Sequence, residues 1–103
     1  MTRKEVLQLQ AMEECAEVAH RISKLMRFGA DEVEPGQDQE RTNLQRVHDE
    51  FTDLAVTMLR AGLLPIAEGE TSVVFDADHM RNKHDKIDRY LAYSERLGIV
   101  KGD

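Results

Sequence analysis

Residues 2–29, TRKEVLQLQAMEECAEVAHRISKLMRFG, decide the fold class. Leu7, Met12, Cys15, Ala16, Val18, Ala19, Ile22, Leu25 and Met26 gather on one side at about 100° per residue, the period of a helix. Thr2 and Glu5 form a Thr-x-x-Glu capping box at the start, and Gly29 suits a helix C-terminus. The stretch predicts one long amphipathic helix. Cys15 falls on its apolar side and is expected to be a packed thiol.

Working outward, ADEVEPGQDQE (residues 30–40) has a Pro-Gly turn, five acids and no periodicity, which predicts a loop. A second helix is expected from Thr42, where Thr42-x-x-Gln45 is another capping box. Its stripe is Leu44, Val47, Phe51, Leu54, Ala55, Met58 and Leu59, with Gly62 near its end. Residues 63–75 read as a loop broken by Pro65 and Gly69, with an extended run at Val73-Val74-Phe75. Asp76 or Asp78 would cap a third helix carrying Met80, Ile87, Tyr90, Leu91, Ser94 and Leu97, stopped at Gly98. The expected architecture is all-α, a bundle of three long helices plus short segments in a single domain, residues 1–103.

The 103 residues suffice for one domain, and three Phe, two Tyr and no Trp leave a thin core. The apolar arc of the first helix covers about half its circumference, more than one partner helix hides. A homodimer, or a homotetramer built from two, is therefore expected to complete the core. With 33% charged residues and a net charge of −6, the chain lacks the basic surface that a nucleic-acid polymer needs. A lone cysteine suits a reducing compartment, and no run approaches the ~18 apolar residues that span a bilayer. The N-terminus lacks a signal-peptide core. A soluble cytoplasmic protein with no membrane partner is expected.

The informative residues are acids. Glu14 and Glu17 stand one turn apart on the first helix, and Glu50 and Asp53 repeat that relation on the second. On a helical wheel Glu14 lies about 20° from Leu7 and Leu25, and Glu50 about 40° from Leu54. Acids usually sit on the solvent side, and a single Glu pair is ordinarily solvated decoration. Two pairs bordering apolar stripes on consecutive helices are less ordinary. If the helices pack antiparallel, the four carboxylates converge. Like charges about 5 Å apart cost on the order of 3 kcal/mol at an effective dielectric of 20, so such a cluster protonates or holds cations. Oxygen-only donors favour Mg²⁺ or Mn²⁺ over zinc.

EECAE at residues 13–17 and EFTD at residues 50–53 resemble the EExxE…ExxD signature of MazG-like all-α nucleotide pyrophosphohydrolases. SKLMRFGADEVEPGQ, TNLQRVHDEFTDLAV and KIDRYLAYSERLG extend the resemblance, to the single-domain phage and bacterial branch, over most of the chain. The 32 residues between Glu17 and Glu50 exceed the spacing in many relatives, the excess lying in the Pro-Gly loop. The resemblance implies that Glu14, Glu17, Glu50 and Asp53 bind divalent metal, two or more Mg²⁺ or Mn²⁺ ions per site. Glu13 matches the leading acid and takes a supporting or base role. It also implies attack of activated water on the α-phosphorus of a nucleoside triphosphate, releasing monophosphate and pyrophosphate for nucleotide-pool control. The branch leans towards a purine such as (d)GTP.

Lys24, Arg27, Lys83 and Lys86 are candidates for the polyphosphate. Asn43, Phe28 and Tyr93 are candidates for the base, which needs an amide or a ring face. Each has a bland counterpart as a solvated or structural side chain. Glu17-Val18-Ala19-His20 is a Glu-x-x-His of the di-iron bundle type, but no second copy follows on the next helix. The same residues would also suit a non-catalytic helical dimer that binds or regulates a partner, or a phosphoribosyl-ATP pyrophosphatase.

Overall fold

A computed structural model of the chain describes residues 1–36, 40–64 and 75–100. It contains three helices and, among the described residues, no strand: α1 (Arg3–Phe28), α2 (Asn43–Arg60) and α3 (Ala77–Arg96). The chain divides into two compact units, Met1–Val73 and Val74–Asp103. The fold class is all-α, as the periodicity required. Among the described residues no helix is long and apolar enough to cross a membrane. Pro65, Gly69 and the Val73-Val74 pair of the expected loop lie outside the described residues.

Local chemistry sets the helix ends. Thr2 Oγ1 accepts from the Glu5 N–H at 3.1 Å, and α1 stops at Gly29, whose φ of 94° suits a residue without Cβ. Thr42 and Gln45 form the reciprocal capping box of α2. Of the two aspartates eligible to cap α3, Asp76 does so, accepting from the His79 N–H at 3.0 Å. Taken by itself, α3 leaves Met80, Ile87, Tyr90 and Tyr93 exposed.

In the first unit α1 and α2 pack antiparallel. The Lys4 side chain lies by Gly62, Glu14 meets Glu50 and Asp53, and Gly29 meets Asn43. The buried and half-buried positions include one seam on each helix, flanked on α1 by half-buried Gln8 and Lys24 and on α2 by half-buried Arg46, Ala55, Thr57 and Leu59. On α1 it runs Leu7, Ala11, Glu14, Val18, Arg21 and Leu25; on α2 it runs Asn43, Val47, Glu50, Leu54, Met58 and Ala61. Steps of three and four are the spacing at which two helices meet face to face. Glu14, Arg21 and Glu50 thus occupy positions that packing would give to apolar residues.

The seam corrects one expectation. Cys15 is exposed, not packed, because it lies about 100° around α1 from Glu14 and so faces away from α2. Met12 (70% exposed) and Met26 (79%) share that outer side, so α2 covers only part of the apolar arc of α1.

After α1, residues 30–36 fold back on the helix. Val33 and Thr42 form an isolated antiparallel bridge, and the Leu44 N–H donates to the Ala30 carbonyl at 3.1 Å. Glu34 reaches α1, accepting from Lys24 Nζ at 2.6 Å and from an Arg21 guanidinium nitrogen at 3.3 Å. The segment carries bonds of its own although its sequence has no period.

Candidate functional site

Glu14, Glu50 and Asp53 each offer a carboxylate oxygen within 4.8 Å of the other two. Their grouping follows from the seam: Glu14 and Glu50 face each other across it, and Asp53, one turn along α2, closes the third side. Glu14 and Glu50 are half-buried and Asp53 is exposed. Partial desolvation, then the charges of Asp53, Glu14 and Glu17, raise the Glu50 pKa above the usual carboxylate value, against a smaller opposing pull from Arg21. Burial and like charges thus both disfavour the ionised Glu50 carboxylate, burial the more.

Glu17 is exposed and stands outside the three-carboxylate group, although its charge is felt at Glu50. Glu13 is exposed and also outside the group. The structure thus joins three of the four acids expected to bind metal.

The cations divide in two. Lys24 is committed to Glu34, and that ion pair, with the Arg21 bond, holds the Glu34 pKa below its ordinary value. The Arg27 guanidinium lies 5.5 Å from the Phe28 ring centroid, within cation–π range. Lys83, Lys86 and Tyr93 are exposed on α3 in the second unit, with Arg96 5.9 Å from the Tyr93 ring centroid.

Asn43 is 1% exposed. Its Nδ2 donates to the Gly29 carbonyl at 2.8 Å and to Glu32 Oε2 at 2.7 Å, so both amide hydrogens are spent inside the chain. It pins the end of α1 and the loop to the start of α2, and its amide hydrogens are not offered to a ligand.

Two participants escaped the sequence. Arg21 lies in the seam beside the acids, its side chain 16% exposed and its Nε without a hydrogen-bond partner among the described residues. Its position one heptad after Glu14 was the available signal. Glu32 gave no signal, since nothing local says where an aperiodic loop turns. With Lys24, Phe28, Glu34, Pro35 and Asn43 it lines a pocket of about 350 Å³.

No protein-family model, curated protein or solved structure matches this chain. The case for function therefore rests on the site itself.

Proposed function

We propose that the chain is a divalent-metal-dependent nucleoside triphosphate pyrophosphohydrolase acting in nucleotide-pool control. One observation carries this: Glu14, Glu50 and Asp53 converge at a helix seam where packing alone would place apolar side chains. The donor set suits a hard cation. Oxygens around one Mg²⁺ stand at most about 4.2 Å apart, so the group closes on an ion with small side-chain rotations. Bound Mg²⁺ or Mn²⁺ supplies charge neutralisation for the polyphosphate and acidifies a water molecule.

The chain's own groups do the rest. The three carboxylates fix where the cations sit, with Glu17 adding charge at the rim and Glu13 in a supporting or base role. Arg21 sets a positive charge beside the acids, one that a bound polyphosphate can use. Water adds to the α-phosphorus, the bond to the bridging oxygen breaks, and pyrophosphate leaves. Incubation with each of the eight common NTPs and dNTPs and Mg²⁺ should give NMP and pyrophosphate, separated by chromatography. Accumulation of NDP and phosphate would point to a different triphosphatase, and no turnover of any of them would favour a non-catalytic helical module.

The same proposal includes self-association. Met12, Ile22 and Met26 form an exposed apolar strip on α1, and a two-fold partner would cover it at low cost. A homodimer, or a homotetramer of two dimers, is the assembly expected. Structure and activity should fall together on dilution. Sedimentation that finds a folded, active monomer at micromolar concentration refutes it.

A further inference from the structure

We propose that the pocket between the end of α1 and the start of α2 binds a guanine base, read by the Glu32 carboxylate. The inference rests on the nucleotide-hydrolase proposal and names the base that site selects. The pocket, about 350 Å³, is lined by Lys24, Phe28, Glu32, Glu34, Pro35 and Asn43. Its volume is at the small end of the range for small-molecule sites. The Phe28 ring, 54% exposed, offers a face for a flat heterocycle.

The charges choose the heterocycle. Glu34 is neutralised by Lys24 and Arg21. Glu32 has no cation among the described residues; it accepts only the Asn43 amide, through Oε2. That bond aims the carboxylate and makes Asn43 a positioning residue. An ionised carboxylate accepts hydrogen bonds and donates none. Guanine presents two adjacent donors, N1–H and the 2-amino group. Adenine and cytosine pair their amino group with a ring nitrogen acceptor. Uracil and thymine flank N3–H with carbonyls. Each of these sets a lone pair against the carboxylate, and guanine does not.

Distance agrees. Asn43, which lines the pocket, and Glu50, in the acid cluster, are two turns apart on α2, about 10 Å along its axis. A nucleotide with its base in the pocket directs its phosphates to the carboxylates. A planar guanidinium could also satisfy Glu32 and stack on Phe28, but gives no reason for the neighbouring acid cluster.

Calorimetric titration of the full chain with GMP, IMP, AMP, CMP and arginine amide tests this. GMP should bind at least about tenfold more tightly than AMP or CMP. It should also exceed IMP, which lacks only the 2-amino donor. Glu32→Gln should remove the preference, because its amide group donates towards guanine's donors. The IMP comparison reads the same contact in the wild-type chain if that variant folds poorly. Equal binding of GMP and AMP, an unchanged preference in Glu32→Gln, or arginine amide binding as tightly as GMP overturns the assignment. Turnover of triphosphates without base discrimination would overturn the guanine site and leave the hydrolase. Selective GMP binding with no turnover of any triphosphate would overturn the hydrolase and leave the site.

Discussion

Glu50→Gln should abolish turnover and at the same time stabilise the metal-free protein. Glu50 is half-buried, with two other carboxylates within 4.8 Å, and its pKa is raised by desolvation and by Asp53, Glu14 and Glu17. When ionised, it works against folding. Above its raised folded-state pKa the carboxyl is charged in both states, and the desolvation and repulsion count in full. As pH falls through that value towards the ordinary 4.5, the folded protein takes up a proton that the unfolded chain does not, and stability returns. The variant should therefore melt above wild type at neutral pH, and the gap should close on acidification. Its size is on the order of 1 kcal/mol, the value for like charges at this separation when largely solvated.

Mg²⁺ should reverse the order. At a hundredfold excess over its Kd it adds about 2.7 kcal/mol to wild type and little to the variant. Losing a group worth several kcal/mol of transition-state charge stabilisation costs about a thousandfold in rate or more. Glu14→Gln and Asp53→Asn should behave alike. Glu17→Gln should cost less, because Glu17 stands outside the group. Thermal melts and pyrophosphate release measured on the same samples check both halves. Glu50→Gln turning over within tenfold of wild type would remove the metal assignment.

Asn43→Ala should be the most damaging single change to the fold. Asn43 is a polar side chain 1% exposed, and its amide joins the Gly29 carbonyl to Glu32. Removing it strips the donor from both acceptors and leaves a void, at a cost of about 2–4 kcal/mol. The first unit has little to offset this: its buried positions among the described residues are Ala11, Ala61 and Asn43 itself. At about 4–8 °C per kcal/mol for a domain this small, Tm should fall by roughly 10–25 °C. Asn43→Asp should fare no better, because a second carboxylate would face Glu32. A circular-dichroism melt of Asn43→Ala within about 3 °C of wild type would show that the amide carries no such weight.

The sequence by itself determined what depends on near neighbours. Thr2, Thr42 and Asp76 cap their helices because a cap bonds to a backbone N–H three residues away, a relation visible in any window. The stripes named three helices, and the wheel placed Glu14 in line with Leu7 and Leu25, where α1 meets α2. The two acid pairs one turn apart were legible for the same reason. Tertiary structure decided what depends on the path between helices. It left Glu17 outside the group, turned Cys15 to the exposed side, and committed Lys24 to Glu34, ten residues away. It also buried Asn43 as a clamp where its amide had suggested base recognition. A periodic helix repeats its own geometry and so announces its faces. The 30–40 segment has no period, so the bonds of residues 30–36 arise only once α1 and α2 are packed.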